Sequence, residues 1–352
     1  MGDVLHAMPA VAALRERHPD WVINWAIEPV WRELLQAETE VHDVAWRFSG
    51  RDWRRPLVDR WSPVSTRDWK RRPFSLKTLL DIHALRRELL GDGYDICVDM
   101  QGLIRSAIVG RMAGAAMFVG AEKPREGAAA WLYKRKVRLS ATHVVEQGCE
   151  LLGAVVGETL RPVKVTLPID LAAERWCDGL LDGAADRFAL IAPTAGWGAK
   201  RWPAERYGAV AAALGRAGVR TLVNATSSEH TAARSVVEAS GGAATLVPST
   251  VGQMIALMRR AGVVIAGDTG PLHLAAALER PVVGLFGPTD PARNGPYGTP
   301  SRVLRHGSSR VDHSRRGHTE GGLMQITIEE VVEAALDLLD DRQDGGQDEV
   351  KV

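Results

Sequence analysis

The sequence has few cysteines and no long hydrophobic run. Cys97, Cys149 and Cys177 are an odd number, widely spaced and without a Cys-x-x-Cys pair. This spacing argues against a disulfide framework and against a zinc site built from paired cysteines. No apolar stretch approaches the roughly 18 residues of a membrane-spanning helix, and the start does not resemble a basic-then-apolar signal peptide. These absences predict a cytoplasmic protein with reduced, buried thiols.

Net charge is almost absent as well. The 352 residues contain 44 Lys and Arg against 43 Asp and Glu, a formal net charge of +1. Such a balance provides no overall attraction to nucleic acid or to an anionic membrane, so any electrostatic function must come from local clusters. With 45% hydrophobic residues, the chain is ordinary for a globular protein and long enough for two domains.

The common nucleotide and metal motifs are missing too. The sequence contains no G-x-G-x-x-G fingerprint, no G-x-x-x-x-G-K-[ST] loop and no H-E-x-x-H pair. These absences disfavour an ordinary dinucleotide-dependent dehydrogenase and a P-loop ATPase.

Strand and helix patterns alternate along the chain, most clearly in its second half. FALIAP, RTLVNA, ATLVP, VVIAGD and VVGLFGP are short apolar segments separated by stretches with helical spacing. This alternation predicts an α/β fold with a doubly wound parallel sheet covered on both faces. In the first half, WVINWAI and YDICVDMQ have the same strand character.

Two α/β domains are therefore expected, residues 1–160 and 161–335, followed by a polar, disordered tail at 341–352. RPVKVTLP, near the junction, is either a crossing segment or a strand at Val163–Leu167. Asp3 directly precedes a helix pattern that begins near Val4, although a doubly wound domain normally opens with a strand. The first strand is thus expected to be missing.

Three polar loops follow predicted strands, so they are expected to lie together at one edge of the sheet. They are PTAGWGAKRWP, GDTGPLH and GPTDP, at residues 193–203, 267–273 and 287–291. In GDTGPLH the glycines permit close backbone approach, and proline is tolerated in the first helical turn. The N–H groups and dipole at that helix start suit a phosphate or pyrophosphate. A capped helix with a core histidine is the alternative for this loop taken alone.

Several ordered motifs carry a resemblance to a known family. MGDVLHAMPAV, DMQGLIRSA, PREGAAAWLYKRK, AKRWP and GDTGPLHLAAALERPVVGLFGPTDP together resemble the ADP-heptose:lipopolysaccharide heptosyltransferases of glycosyltransferase family 9, with heptosyltransferase I the most similar branch. The resemblance implies a GT-B fold, in which two Rossmann-like domains face a crevice. It also implies inverting transfer without a metal or other cofactor, and the sequence contains no Asp-x-Asp pair of the kind that holds a divalent ion on a sugar diphosphate.

The resemblance also implies roles for individual residues. Asp3 would be the general base, and a helix N-cap is the alternative for this residue taken alone. Glu229 matches a position that binds ribose hydroxyls, with an exposed acid in a helical first turn as the alternative. The residues expected to contact the diphosphate and sugar of the donor are Thr194, Lys200, Asp268, Thr269, Gly270 and His273.

A basic segment with interleaved tryptophans lies in the first half. Its cations are Arg51, Arg54, Arg55, Arg60, Arg67, Lys70, Arg71 and Arg72, and its tryptophans are Trp53, Trp61 and Trp69. Guanidinium forks suit phosphates and carboxylates. The resemblance assigns the acidic acceptor to Arg67, Lys70, Arg71, Arg125 and His143. Single-stranded nucleic acid is the weaker alternative, and the segment is also a candidate for peripheral contact with the inner membrane surface.

The resulting hypothesis is transfer of L-glycero-D-manno-heptose from ADP-heptose to Kdo of Kdo-lipid A in lipopolysaccharide inner-core biosynthesis. Two alternatives stay open. One is a family member with another nucleotide-sugar donor or another heptosyl acceptor, because Pro271 and Leu272 depart from the usual heptosyltransferase I pair. The other is a catalytically inactive protein that binds sugar nucleotides or lipopolysaccharide.

Overall fold

The computed structural model describes residues 1–38, 47, 56–182, 188–226, 230–312 and 317–345. Contacts divide the chain into two compact units. The N-terminal unit contains His6–Gln36 and Phe48–Pro168, and the C-terminal unit contains Met1–Leu5, Ala37–Arg47 and Ile169–Val352. The principal division thus falls after residue 168, whereas the sequence placed the junction after residue 160.

In its described residues, the N-terminal unit is built on two small parallel sheets, β1–β2 and β3–β4–β5. Among the described residues, the 3₁₀ segments Pro29–Leu34 and Gly127–Leu132 supplement its helices. The elements, in chain order, are α1 (Gly2–Arg17), β1 (Asn24–Ile27), β2 (Arg60–Pro63), α2 (Thr66–Arg71), α3 (Leu76–Gly91), β3 (Ile96–Asp99), α4 (Ile104–Met112), β4 (Met117–Ala121), β5 (Arg135–Val137) and α5 (Val144–Val156).

Helix α1 is the first element of the chain, and its first residues group with the C-terminal unit. The Met1 carbonyl accepts hydrogen bonds from Val4 N at 3.0 Å and Leu5 N at 3.1 Å, so the first turn begins at once. Asp3 is solvent-exposed in this turn.

The C-terminal unit contains a six-stranded parallel sheet in the order β11-β10-β9-β6-β7-β8. The first strand of this sheet in chain order is β6, which lies in its middle. The chain then proceeds outward through β7 and β8 and returns to the other side of β6 at β9. The elements are α6 (Leu171–Leu181), β6 (Phe188–Ala192), α7 (Ala204–Arg216), β7 (Arg220–Ala225), α8 (His230–Ala239), β8 (Ala244–Pro248), α9 (Val251–Arg260), β9 (Val263–Gly267), α10 (Gly270–Ala277), β10 (Val282–Leu285), α11 (Pro291–Asn294), β11 (Ser301–Leu304) and α12 (Ile328–Gly345).

This doubly wound order confirms the sheet predicted from the apolar segments. Every residue of β6, β9 and β10 is buried, as expected for strands covered by helices on both faces. Trp202 and Tyr207 pack edge to face, with ring centroids 4.9 Å apart, in the main core of this unit. Within the described parts of the chain, no helix combines the length and apolar character needed to cross a bilayer.

The structure decides between the two interpretations of residues 163–167, and it differs from expectation in the tail. Val163–Leu167 forms no strand; it is a crossing segment in which Val163 N donates to Pro9 O at 3.3 Å. Its buried Val165 and Leu167 explain the strand-like alternation. In the tail, residues 341–345 continue α12 rather than being disordered, because no helix breaker intervenes before Gly345. Residues 346–352 lie outside the described residues.

Candidate active site

The polar loops of the C-terminal unit follow three adjacent strands. Ala192 of β6 pairs with Ala266 of β9, and Gly267 pairs with Leu285 of β10. Thr194 and Asp268, each two residues beyond the paired alanines, are therefore level with one another at the carboxyl edge. This is also where the strand order reverses, the position at which doubly wound sheets bind ligands. The prediction that the three loops share one sheet edge is confirmed.

Asp268 lies at the centre of this edge, between two cationic or potentially cationic side chains. Its Oδ2 atom accepts a hydrogen bond from Lys200 Nζ at 2.6 Å, and its Oδ1 atom lies 3.1 Å from His273 Nε2. Asp268 and His273 are only 7% and 6% exposed. Burial raises the pKa of Asp268, but the hydrogen bond with His273 and the charge of Lys200 outweigh it and hold the pKa below its usual range. The carboxylate is therefore anionic and fixes both partners.

Helix α10 starts beside this carboxylate. Thr269 is its N-cap, with its hydroxyl donating to Gly267 O at 3.2 Å rather than capping the helix. Pro271 occupies the first turn, where the lack of an N–H costs nothing. Because the first N–H groups of a helix have no intrahelical acceptor, this end of α10 is suited to an anionic ligand.

The first turn of α1 packs against the same helix start. A Cβ atom on Gly270 would lie 2.7 Å from Met1 Cβ, and one on Gly2 would lie 3.1 Å from His273 Cδ2. Glycine at both positions permits this close approach. The turn that carries Asp3, the predicted base, is thus brought next to the predicted donor loop within one unit.

The loop that carries Lys200 is supported by a segment that the sequence analysis did not single out. A Cβ atom on Gly198 would lie only 2.1 Å from Gly317 O, so the two backbones are in direct contact. Glu320 N donates to Ala199 O at 3.1 Å, and Thr319 Oγ1 donates to Arg201 O at 2.7 Å. The Lys200 ammonium also lies 4.7 Å from the centre of the Trp197 ring, a cation–π distance.

Glu320 in turn is held by hydrogen bonds to its carboxylate. Oε2 accepts from Ser309 Oγ at 3.0 Å and from Leu323 N at 2.8 Å. Burial raises the pKa of Glu320, but these and further backbone hydrogen bonds lower it below its ordinary value. No sequence motif marked this residue, because its partners come from separate loops.

The cations predicted for the acceptor lie on the N-terminal unit. Arg67, Lys70 and Arg71 are exposed together on α2, on a different element from Arg125 and His143. Arg67 lies over the Trp31 ring, 5.6 Å from its centre. His143 caps α5, where its Nδ1 atom accepts from Val145 N at 3.2 Å.

Arg125 adjoins a turn held by Asp99, a residue to which the sequence analysis gave no role. Asp99 Oδ1 accepts from Gln101 N at 2.9 Å and Gly102 N at 3.0 Å. Its Oδ2 atom accepts from Ser106 Oγ at 2.9 Å and Tyr133 Oη at 2.8 Å. A Cβ atom on Gly102 would lie 3.1 Å from Arg125 N. An acid at the end of a strand and two residues before Gln-Gly was the signal for this turn.

The remaining predicted residues fall on other parts of the chain. Glu229 lies outside the described residues, as do Arg51, Trp53, Arg54 and Arg55 of the basic segment. Within the described residues, no three His, Cys, Asp or Glu side chains are grouped closely enough to hold a metal ion.

Solved structures define the class of fold. A structure of E. coli heptosyltransferase WaaC with ADP matches with a TM-score of 0.73 and 25% identity, covering 96% of this chain and 97% of the other. A glycosyltransferase family 9 structure from Veillonella parvula matches with a TM-score of 0.75 at 22% identity, covering 97% and 95% of the two chains, and so supports the fold alone. The fold is the GT-B type of the heptosyltransferases.

Sequence comparison then identifies the family. Residues 82–323 match the model of glycosyltransferase family 9 (heptosyltransferase), and the chain belongs to this family. Lipopolysaccharide heptosyltransferase 1 of Salmonella typhimurium is 28% identical over 302 residues, which cover 85% of this chain and 89% of the relative. The protein is therefore a glycosyltransferase.

Proposed function

We propose that this glycosyltransferase moves L-glycero-D-manno-heptose from ADP-heptose to a Kdo sugar of Kdo-lipid A, with inversion at the anomeric carbon and without a metal. One observation carries the donor half of this proposal. It is the Lys200–Asp268–His273 arrangement, with Asp268 and His273 buried, at the strand reversal of the C-terminal unit, beside the start of α10. Similarity to heptosyltransferase 1 over most of the chain supports the sugar and the acceptor.

The donor diphosphate is assigned to the start of α10 and to Lys200. Backbone N–H groups at Thr269 and Gly270 would donate to its oxygens, and the helix dipole would favour its charge. Both oxygens of the Asp268 carboxylate are paired, one with Lys200 and one with His273, so this carboxylate does not itself contact the diphosphate. Its role is to position both groups, while Thr194 lines the same edge and Glu229 takes the ribose hydroxyls.

Asp3 is proposed as the general base. Its carboxylate would take the proton of the acceptor hydroxyl while that oxygen forms a bond to C1 of the heptose. The bond from C1 to the diphosphate oxygen breaks on the opposite face, and ADP leaves with the electron pair. The close packing of Gly2 against His273 supports this role, because it brings the Asp3 turn next to the proposed donor site. His273 and Lys200 would stabilise the negative charge that develops on the leaving diphosphate.

The acceptor is assigned to the N-terminal unit. Kdo sugars carry carboxylates and lipid A carries phosphates, which match the exposed cations Arg67, Lys70 and Arg71 on α2. Arg125 and His143 complete the proposed acceptor set. Because the acceptor is embedded in lipid, the enzyme would work at the cytoplasmic face of the inner membrane.

The test is ADP release from ADP-heptose in the presence of Kdo-lipid A, with the product analysed for a new heptose–Kdo linkage. Asp3→Asn should reduce kcat by about 10² to 10⁴, the usual contribution of a general base, while ADP affinity stays the same. Glu16→Gln, a charge change further along α1, is the matched control and should retain activity.

Other outcomes select the alternatives. Release with another nucleotide sugar, or only with an already heptosylated acceptor, would replace the proposed substrate pair. ADP binding without release from any pair would point to a binding protein. An Asp3→Asn enzyme with full kcat would exclude Asp3 as the base.

A further inference from the structure

Four large apolar side chains are exposed around the start of α3. Phe74 is 94% exposed, Leu76 71%, Leu79 56% and Leu80 58%. The three leucines are spaced i, i+3 and i+4, so they lie on one face of the helix. The outward face of a helix in a soluble protein is ordinarily polar. This face therefore has the character of an interaction surface.

Phe74 is exposed in a turn that is held in place by hydrogen bonds. Thr78 Oγ1 donates to Arg72 O at 2.8 Å, and Ser75 N donates to the same carbonyl at 3.1 Å. Ser75 also caps α3, because its hydroxyl accepts from Thr78 N at 3.1 Å. Thr78 itself is buried. These bonds fix the turn with Phe74 directed to solvent.

Exposed cations neighbour the apolar residues along the chain. Residues 66–80 contain five Lys and Arg and a single acid, Asp68. Trp69 packs against the core cluster that includes Leu85 and Leu89, which anchors α2 and leaves its charged side chains outward. The side chains of Arg71 and Lys77 are each 81% exposed, and they pair at the surface with Asp68 at 3.9 Å and with Asp81 at 2.6 Å. We name residues 66–80 the docking surface.

Exposed apolar side chains among cations are complementary to an anionic lipid bilayer. Its headgroups attract Lys and Arg, and its acyl boundary accepts leucine and phenylalanine side chains. We propose that the docking surface binds an anionic membrane directly, with Phe74, Leu76 and Leu80 inserted at the headgroup boundary. The inference rests on the proposed function, since a lipid-embedded acceptor requires the enzyme to reach a membrane.

Vesicle flotation tests this binding without any turnover. Vesicles of phosphatidylcholine with 30% phosphatidylglycerol, free of lipopolysaccharide, should carry the protein, whereas phosphatidylcholine alone should carry much less. Phe74→Ser/Leu80→Ser should lower the partition coefficient on the order of tenfold or more, because apolar insertion is lost. Leu171→Ser/Val311→Ser removes two exposed apolar side chains of the C-terminal unit and should bind like the wild type.

A separate variant tests the contribution of the cations to vesicle binding. Arg72→Gln/Lys77→Gln changes cations outside the proposed acceptor set, and should weaken binding to the anionic vesicles on the order of tenfold. Added salt should weaken wild-type binding in the same direction. The apolar and cationic variants should each have an unchanged melting temperature.

Activity separates this inference from the proposed function. With a water-soluble Kdo oligosaccharide as acceptor, Phe74→Ser/Leu80→Ser should keep wild-type kcat/KM, while transfer to acceptor in vesicles should fall. Absence of wild-type vesicle binding, or equal binding by the apolar variant, would overturn the inference even if transfer is normal. Light scattering that shows a wild-type dimer and a monomeric Phe74→Ser/Leu80→Ser variant would instead assign the surface to a second copy. Vesicle binding with no transfer would leave the inference standing and the substrate assignment wrong.

Discussion

Lys200 Nζ donates a 2.6 Å hydrogen bond to Asp268 Oδ2, although the two residues are 68 positions apart in the chain. The pair joins the loop after β6 to the loop after β9, across the point where the strand order reverses. His273 contacts the other carboxylate oxygen at 3.1 Å. An anion thus holds two potential phosphate-binding groups in fixed positions.

Removing the Lys200 ammonium should affect both stability and donor binding, and a second substitution separates the two effects. Lys200→Met leaves the buried Asp268 carboxylate with one charged partner fewer, which should reduce the free energy of unfolding by about 3 kcal/mol. ADP affinity, measured by calorimetry, should fall at least tenfold. The double variant Lys200→Met/Asp268→Asn should recover much of the stability but not the ADP affinity. Arg216→Met, an exposed cation on α7, is the control; unchanged ADP affinity in Lys200→Met would contradict the donor assignment.

The lowered pKa of Asp268 predicts a pH dependence of stability. An unfolded aspartate takes up its proton near pH 3.9, whereas folded Asp268 does so only at lower pH. Between these values the unfolded state binds more protons, so the free energy of unfolding falls as the pH falls. The difference in the free energy of unfolding between the wild type and Asp268→Asn should be constant above about pH 5 and shrink below about pH 4. Denaturant titrations at each pH measure it, and parallel curves for the two proteins would refute the prediction.

Two glycines in the Lys200 loop provide a matched comparison. A Cβ on Gly198 would lie 2.1 Å from Gly317 O, whereas one on Gly196 meets no atom within 4 Å. Gly198→Ala should therefore displace the loop, lowering the melting temperature by several degrees and weakening ADP binding. Gly196→Ala should change neither quantity. Thermal melts with and without ADP test this, and equal behaviour of the two variants would contradict the backbone contact.

The turn held by Asp99 should matter for the acceptor rather than for the donor. Tyr133→Phe removes one hydrogen bond to Asp99 but keeps the edge-to-face packing on Phe118, whose ring centre lies 5.3 Å away. The free energy of unfolding should fall by about 1 kcal/mol, and the KM for acceptor should rise severalfold because Arg125 loses a fixed support. The ADP affinity should stay the same.

Tyr94→Phe is the control for this substitution. Tyr94 donates to Asp92 and contacts Asn24 in a separate network, so a similar loss of stability should leave the acceptor KM unchanged. A Tyr133→Phe enzyme with unchanged acceptor KM would limit Asp99 to a structural role. Asp99→Asn weakens all four hydrogen bonds of the turn, so this variant should not have the wild-type acceptor KM.

Much of the C-terminal unit could be predicted from the sequence. Buried parallel strands such as β6 and β9 are continuous apolar segments, and the loops after them are marked by glycine, proline and polar residues. The N-terminal unit was less predictable. Its short strands, including β2 and β5, have polar residues at exposed positions, so neither apolar continuity nor alternation identifies them.

The sequence by itself determined the alternation of strands and helices, the three loops at one sheet edge and the family motifs, because these features are local or ordered along the chain. Only the tertiary structure decided that Asp268 pairs with Lys200 and His273, that Glu320 and Gly317 support the Lys200 loop, and that Leu76, Leu79 and Leu80 of α3 face solvent. Each of these depends on which distant backbones approach one another. Helical periodicity alone does not reveal which apolar face of a helix is buried.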